Sequence, residues 1–267
     1  MEGLGGVQTA TYQTLIKDTM SYMKPQASLT SALVLGGSGG IGAAITERLA
    51  VARPVAVTYL RDSARADALA FRLSASGHRV TATGCDASTE AGVLAAFDAA
   101  ERLAPVAVVV DCVGGWDYPR LAGLTPDELD ASLALNLKSA ILVLREAARR
   151  VVDQGRVVLL SSAAVSVAPA RQVTYVAAKA GLEGAARVAA KELADSGVTV
   201  NVVRPGATDT ATLRAGTSDR AIEAMASANA MRRLGTPADI AGAVSVLLSE
   251  DAGWITGQVI DAPGGFI

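Results

Sequence analysis

The sequence has few residues of the kinds that hold metals or build disulfide frameworks. It contains two cysteines, Cys85 and Cys112, and one histidine, His78, in 267 residues. These three side chains do not make a disulfide scaffold or a structural zinc site, so we expect no metal and a reducing, cytoplasmic compartment.

Charge and long apolar runs are scarce as well. Charged residues make up 19% of the chain, and the formal net charge is −2. No basic surface for nucleic acid is therefore expected. No apolar run reaches the roughly 20 residues that a membrane span needs, so neither nucleic acid nor a membrane is an expected partner.

Residues 1–29 differ in composition from the rest and form a predicted N-terminal extension. Apolar residues recur there at helical spacing, which fits a short amphipathic helix but leaves a simple tail equally open. From residue 30 onward no linker or repeat interrupts the sequence. Residues 30–267 are therefore predicted to form one domain. The spaced apolar residues are Tyr12, Leu15, Ile16, Met20 and Met23.

The body of the chain alternates short apolar runs with longer helical stretches. The runs are rich in Val and Leu without polar alternation, as strands covered on both faces should be. The alternation predicts a single-domain α/β protein, a doubly wound Rossmann fold with about seven parallel strands and helices on both faces. The strands are expected at 32–36, 55–60, 79–84, 106–110, 156–161, 198–203 and 258–262, and the main helices at 63–76, 88–104, 126–152 and 173–196.

A glycine-rich turn follows the first predicted strand. Gly36, Gly40 and Gly42 stand between this strand and a helix that begins near Ile41. A dinucleotide pyrophosphate needs a tight turn, a backbone without Cβ atoms and free N–H groups at a helix N-terminus. The turn therefore predicts a dinucleotide site.

The same turn also matches the G-x-S-x-G pattern of a hydrolase nucleophile, with Ser38 at its centre. The base would have to be His78, because the chain has no other histidine. In that family the histidine comes late in the chain, whereas His78 directly precedes the third strand. A solvated turn is the better interpretation of His78.

Three polar residues follow the fifth predicted strand. Ser162 lies at its end, and Tyr175 and Lys179 are four residues apart on the next helix. That spacing puts Tyr175 and Lys179 on one helix face, about 6 Å apart at Cβ. A phenol titrates near 10, and lowering its pKa by three units takes roughly 4 kcal/mol. A neighbouring ammonium is the group that would supply it, so these residues predict acid–base chemistry.

Several separated motifs together resemble the short-chain dehydrogenases/reductases, and above all the 3-oxoacyl-carrier-protein reductase and glucose dehydrogenase branch. The resemblance covers residues 31–267. Its motifs, in order, are GGSGGIG at 36–42, the Asp86 turn, Asn136, Ser162, Tyr-x-x-x-Lys at 175–179, Arg-Pro-Gly at 204–206 with Thr210, and ITGQVIDAPGG at 255–265.

The resemblance implies a role for each matching polar residue. Tyr175 would pass a proton to or from the substrate oxygen, and Lys179 would lower the pKa of Tyr175 and bind the nicotinamide ribose. Ser162 would polarise the substrate carbonyl. Asn136 would hold a water of the proton relay, although on its own it is equally a packing residue of its helix.

The resemblance also implies the residues that bind the cofactor. Asp86 would contact adenine together with Ala87, the alternative being that Asp86 caps the next helix. Pro205 and Gly206 would border the nicotinamide, with Thr208 and Thr210 near its carboxamide. The whole implied set is Gly36, Ser38, Gly40, Ile41, Gly42, Arg61, Asp86, Ala87, Gly114, Tyr175, Lys179, Pro205, Gly206, Thr208 and Thr210.

The chain departs from the family pattern in three places. Leu35 stands where a threonine usually supports the glycine turn. The usual Asn-Asn-Ala-Gly reads Asp111-Cys112-Val113-Gly114, which keeps the glycine but loses an asparagine that ties neighbouring strands. Gly39 replaces a residue that is often basic in relatives that use NADP.

The end of the second strand bears on the choice of nicotinamide cofactor. An acidic residue at its tip would bind the ribose diol of NAD, but Tyr59 occupies that place. Arg61 follows and can pair with a 2′-phosphate. The acidic Asp62 and the absence of a basic side chain at Gly39 favour NAD instead. We expect NADP in preference to NAD.

The expected function is transfer of hydride from NADPH to a ketone or ketoacyl substrate, possibly carrier-bound. Alternatives are an NAD-linked alcohol dehydrogenase and a non-catalytic nucleotide sensor of the same fold. Residues 211–234, with methionines and arginines, are predicted to form a lid, and residues 116–120 an aromatic wall. The arginines would meet an acidic carrier or simply be solvated. By resemblance we expect a homotetramer or homodimer that pairs the helices at 126–152 and 173–196.

Overall fold

The seven predicted apolar runs form one parallel sheet. The computed structural model describes residues 29–116 and 119–266, so the predicted extension at 1–29, apart from Leu29, lies outside the described residues. The strand order is β3-β2-β1-β4-β5-β6-β7, which confirms the doubly wound fold. The strands are β1 Ser31–Leu35, β2 Val55–Tyr59, β3 Val80–Gly84, β4 Val106–Asp111, β5 Arg156–Leu160, β6 Thr199–Pro205 and β7 Val259–Ala262.

Helices cover both faces of the sheet. Successive strand residues point to opposite faces, so Leu33 and Leu35 of β1 join one apolar core and Val34 joins the other. The helices are α1 Gly40–Ala50, α2 Ser63–Ala75, α3 Glu90–Glu101, α4 Pro126–Leu133, α5 Ser139–Arg150, α6 Ala164–Val167, α7 Val173–Glu192, α8 Ala211–Gly216, α9 Asp219–Ala228 and α10 Pro237–Leu248. Within the described ranges, none of them is both long and apolar enough to cross a bilayer.

The strand order reverses direction in the middle of the sheet. β1 pairs with β2 on one side and with β4 on the other, so the crossovers leave β1 and β4 toward opposite edges. In sheets of this kind the crevice beyond the carboxyl ends of these strands binds the ligand. The glycine turn after β1 and residues 112–114 after β4 therefore lie side by side at this crevice.

The helix predicted at 126–152 is confirmed from Pro126 to Arg150, but one π-helical turn lies inside it. Thr125 and Glu128 form a capping box that begins α4, and residues Ala134–Lys138 form a π-helical turn before α5. A single π turn inserts an extra residue and turns the side chains that follow. Here the inserted turn carries Asn136, which is buried.

Candidate active site

The glycine turn has the backbone geometry that only glycine adopts without strain. The φ angles of Gly36 and Gly40 are +67° and +28°. A Cβ at Gly42 would lie 2.3 Å from the Gly36 carbonyl oxygen. The N–H of Gly36 donates to the Thr58 hydroxyl of β2 at 3.0 Å. The hydroxyl that contacts the turn thus comes from Thr58. Leu35, which stands where the family usually has a threonine, belongs to the buried core.

The turn leads directly into the N-terminus of α1. Gly39 is the residue before the helix, and it has no side chain to cover the first helical N–H groups. Such groups bind phosphate readily. Ser38 and Gly39 are half-buried. A Cβ at Gly40 would lie 2.7 Å from the Thr210 methyl carbon, which places Thr210 beside the turn.

A cavity of about 440 Å³ opens at the carboxyl ends of β4, β5 and β6. Its lining is mainly apolar, and it brings together residues from both halves of the chain. Of the residues singled out from the sequence, those lining it are Ile41, Gly114, Ser162, Tyr175, Lys179, Pro205, Gly206, Thr208 and Thr210. Gly36, Ser38, Gly40, Gly42, Arg61, Asp86, Ala87 and Asn136 lie outside its lining.

Lys179 is a buried ammonium held by backbone carbonyls. Its side chain is 3% exposed, and Nζ donates to the oxygens of Val113 at 3.1 Å and Leu160 at 2.9 Å. An ammonium has three N–H donors, so one is left for a ligand. Burial lowers the pKa of Lys179, and the nearby carboxylate of Asp111 acts in the opposite direction.

Tyr175 lies one turn before Lys179 and lines the same cavity. Its ring is largely buried and meets the ring of Trp116 edge-on, with 6.3 Å between ring centres. Trp116 therefore forms the aromatic wall predicted for 116–120, whereas Asp117 and Tyr118 lie outside the described residues.

Ser162 follows the end of β5 and faces the cavity. Its Oγ accepts a hydrogen bond from the N–H of Ala164 at 3.1 Å. This bond uses an oxygen lone pair and not the hydroxyl proton, which is the part that a substrate oxygen would accept. The Ser162 hydroxyl is thus oriented from the start of α6.

Asn136, in the π-helical turn, forms hydrogen bonds with the loop that follows β4. Its Nδ2 donates to the oxygens of Gly115 at 2.9 Å and Ser132 at 3.1 Å, and its Oδ1 accepts from the N–H of Gly115 at 3.1 Å. A Cβ at Gly114 would lie 2.9 Å from Lys179 Nζ and 3.0 Å from Asn136 Oδ1. Glycine at 114 is therefore what lets the loop lie against both side chains.

The comparison with known proteins agrees with this arrangement. A family model described as enoyl-(acyl carrier protein) reductase matches residues 36–267. The 3-oxoacyl-[acyl-carrier-protein] reductase MabA of Mycobacterium avium is 38% identical over 262 residues, which is 96% of this chain and 97% of that protein. The chain belongs to the short-chain dehydrogenases/reductases. It is accordingly an oxidoreductase of that family.

Two further relatives support this membership. A short-chain type dehydrogenase/reductase of Picea abies is 35% identical over 246 residues, covering 88% of this chain and 91% of that protein. The solved structure of a short-chain dehydrogenase from Burkholderia cenocepacia in complex with NADP superposes with a TM-score of 0.85. It is 33% identical and covers 91% of this chain and 99% of that one.

The turn after β3 of this short-chain dehydrogenase/reductase excludes one of the two interpretations of Asp86. The Asp86 carboxylate accepts hydrogen bonds from the N–H and hydroxyl of Ser88, at 3.0 and 2.6 Å. The cap of α3 is Thr89, whose hydroxyl accepts from the Gly92 N–H. Asp86 is therefore not the helix cap, and Ala87 beside it is buried.

Charged residues at the end of β2 are arranged around Arg65. The Asp62 carboxylate caps α2 by accepting from the Arg65 N–H at 2.9 Å, and it pairs with Arg65 Nε at 3.1 Å. Arg65 Nη1 lies 4.0 Å from the place that a Gly39 Cβ would occupy. A guanidinium thus stands beside the glycine turn although position 39 has no side chain. Arg61 is exposed nearby in the chain.

The arginines of residues 211–234 have local partners. Arg214 pairs with Asp209 at 2.6 Å, and Arg233 pairs with Asp239 at 2.6 Å. The Arg232 guanidinium donates to the Ser227 carbonyl oxygen at 2.6 Å. These contacts favour surface ion pairs over the binding of an acidic carrier.

Two polar residues of the site region were not found from the sequence. Asn229 lines the cavity, donates to the Pro263 oxygen at 2.7 Å and accepts from the Met231 N–H at 3.0 Å. Glu183 lies one turn beyond Lys179 and is 3% exposed. The signal for Glu183 was present, because positions 175, 179 and 183 repeat every four residues. Nothing local marks Asn229.

Proposed function

We propose that the enzyme reduces a ketone or ketoacyl thioester with NADPH, and that Tyr175 donates the proton to the substrate oxygen. The observation that carries the proposal is the convergence of Ser162, Tyr175 and Lys179 on one mainly apolar cavity. A bound nicotinamide cofactor supplies the hydride. The protein residues then have to bind the substrate oxygen, protonate it and exclude water.

Each of the three side chains has a distinct task in this proposal. The Ser162 hydroxyl donates a hydrogen bond to the substrate oxygen and stabilises negative charge there. Tyr175 gives its proton to that oxygen. The Lys179 ammonium favours the resulting phenolate electrostatically, and its third N–H binds the ribose.

The glycine turn and its surroundings fit a dinucleotide. A side chain at Gly36 would meet the Cys112 carbonyl oxygen at 3.2 Å, and one at Gly114 would meet Lys179. The two glycines thus let the turn and the loop after β4 pack closely at the edge of the sheet where a dinucleotide binds in folds of this kind. In this proposal Gly36, Ser38, Gly40, Ile41 and Gly42 bind the pyrophosphate.

Other implied residues hold the two ends of the cofactor in the same proposal. Asp86 and Ala87 border the adenine, Pro205 and Gly206 the nicotinamide ring, and Thr208 and Thr210 its carboxamide. Thr210 also caps α8, because its hydroxyl accepts from the Leu213 N–H at 3.2 Å. The hydroxyl proton of Thr210 remains the part that a carboxamide oxygen would accept.

NADP is the cofactor that we propose in preference to NAD. Asp62 is the acidic residue that favoured NAD in the sequence analysis, but its carboxylate is already paired with Arg65. Arg61 and Arg65 place two guanidinium groups near the end of β2, where a 2′-phosphate is recognised. The solved relative from Burkholderia cenocepacia is named as a complex with NADP, which agrees with this preference.

Replacing Arg61 with alanine is expected to raise the Kd for NADPH about tenfold to a hundredfold, because a charge-assisted contact to phosphate is lost. The Kd for NADH should change little. Fluorescence titration measures both constants. Arg72→Ala is the matched control, because Arg72 is an exposed arginine of the helix α2 that follows Arg61. An equal loss of both cofactors in Arg61→Ala would reject the assignment.

The substrate side of the cavity favours an apolar group next to the carbonyl. Trp116, Val167, Leu213 and Met225 line it. Methionine adapts to ligands of different shape. The reductase from Mycobacterium avium is named for a 3-oxoacyl group on a carrier, so ketoacyl thioesters belong with simple ketones among the candidate substrates. Residues 211–234, which supply Leu213 and Met225, are the proposed lid.

The test is the rate of NADPH oxidation over a panel of simple ketones and ketoacyl thioesters. We expect turnover with at least one of them, and a background rate without substrate. Turnover that appears only with NAD and alcohols would favour an NAD-linked dehydrogenase instead. Tight NADPH binding without turnover across the panel would favour a nucleotide sensor.

We also propose a homotetramer or homodimer that pairs α5 and α7 between subunits. Ile141 on α5 and Val188 on α7 are about half exposed, as apolar contact residues of a partner surface would be. Light scattering gives the mass in solution.

A further inference from the structure

Two buried side chains of opposite charge type, Asp111 and Lys179, form hydrogen bonds with the backbone of Val113. Its N–H donates to the Asp111 carboxylate at 2.9 Å, and its carbonyl oxygen accepts from Lys179 Nζ at 3.1 Å. Asp111 is 2% exposed and Lys179 is 3% exposed. Opposite charges at such depth interact more strongly than at the surface, because little water screens them.

We propose that Asp111 is a positioning residue, the counter-ion that keeps Lys179 protonated and fixed on Val113, and that it thereby raises the pH up to which the Lys179–Tyr175 pair works. The proposal rests on the proposed function, in which Tyr175 donates a proton. It also explains why a carboxylate is compatible with the first position of the altered Asp-Cys-Val-Gly segment.

The other polar groups around Lys179 are neutral or already matched. Cys112, beside Asp111, is a buried thiol whose pKa is raised by burial. On α7 itself, Glu183 accepts a bidentate pair from Arg204 of β6. The remaining neighbours are uncharged in their usual state: the Leu160 carbonyl of β5, Ser161 and Ser162 after it, Asn136 from the π turn and Tyr175. Among the described residues, Asp111 is thus the charge that acts on Lys179.

Asp111 and Lys179 each favour the charged form of the other. The pKa of Lys179 is lowered, mainly by burial, and the Asp111 carboxylate offsets part of that shift. The pKa of Asp111 is raised, mainly by burial, and Lys179 and the Val113 N–H offset part of that shift. Without the carboxylate, the ammonium would lose its proton at a lower pH, so its support for Tyr175 would end earlier as the pH rises.

Asp111→Asn isolates the charge, because an amide oxygen can accept the same hydrogen bond from the Val113 N–H. The chain has five lysines, so the side-chain carbon signals of labelled lysine can be followed by NMR as a function of pH. Lys179→Met identifies the Lys179 signal. We expect the Lys179 titration in Asp111→Asn to move to lower pH by about one unit. Asp98→Asn, an exposed carboxylate on α3, should leave it unchanged.

The same variant should move the alkaline limb of the kcat profile for ketone reduction to lower pH, with the KM for NADPH little changed. If Asp111→Asn does not fold, Asp111→Ser removes the same charge and serves in its place. An unchanged or raised Lys179 titration would overturn the proposal. The titration needs neither cofactor nor substrate, so a shift in a protein that turns over no ketone would uphold the pairing while rejecting the proposed function.

Discussion

Replacing Tyr175 with phenylalanine is expected to lower kcat for carbonyl reduction by about 10²- to 10⁴-fold, the usual contribution of a general acid. Phenylalanine keeps the ring and its edge contact with Trp116, so the packing of the cavity wall is preserved. Only the hydroxyl that delivers the proton is removed. Steady-state rates with a saturating ketone and NADPH measure the loss.

The free energy of unfolding and the Kd for NADPH are the controls for Tyr175→Phe. Both should stay close to the wild-type values, because Lys179 keeps its two carbonyl partners. A loss confined to kcat marks a group that acts in the transition state. A variant that retains wild-type kcat would remove Tyr175 from the mechanism and would require another proton donor.

The second large effect is expected at Glu183, which joins three elements of the site. Its Oε1 accepts from the hydroxyl of Ser161, the residue after β5, at 2.7 Å, and Arg204 of β6 donates to both carboxylate oxygens at 2.6 Å. Arg204 also donates to the Ser166 hydroxyl at 3.0 Å. Ser161 precedes Ser162, and Arg204 precedes Pro205, so this buried pair fixes two segments that line the cavity.

Glu183→Ala is expected to lower the free energy of unfolding by about 3–5 kcal/mol, because it leaves the Arg204 guanidinium without its buried partner. Urea unfolding followed by circular dichroism measures the loss. The exposed pair of Arg72 and Glu47 is the matched control, and Glu47→Ala should cost at most about 1 kcal/mol.

Removing both charges separates the cost of an unpaired ion from the value of the pair. A Glu183→Leu, Arg204→Leu double variant should recover much of the lost stability. Replacing both members of a buried ion pair by apolar residues often costs little free energy of unfolding. A Glu183→Ala variant as stable as the wild-type protein would show that Arg204 finds water or Asp261 instead.

Features that depend on neighbouring residues followed from the sequence. Val- and Leu-rich runs predicted the seven strands to within a few residues, because both faces of a parallel sheet exclude water. Gly36 and Gly42 predicted the turn, because only glycine permits its geometry. The four-residue spacing of Tyr175 and Lys179 predicted that they would lie on one helix face, and both line the same cavity. The implied roles of these residues stay predictions.

Predictions that needed the packed structure were incomplete. The helix at 126–152 was predicted without the π turn at Ala134–Lys138, which lies inside it and brings Asn136 to Gly115. The alternative interpretation of Asp86, as the cap of the next helix, was wrong, because Thr89 caps that helix. Helix propensity and capping residues do not specify which of several close candidates the packed structure uses.

The sequence by itself determined the alternating fold, the glycine turn and the order of the chemical groups, since each depends on residues a few positions apart. Only the tertiary structure decided the partners: Thr58 for the Gly36 N–H, Val113 and Asp111 for Lys179, and Arg204 for Glu183. These pairs join strands and helices that meet through the sheet order. Their energies depend on depth and distance, which sequence separation does not encode.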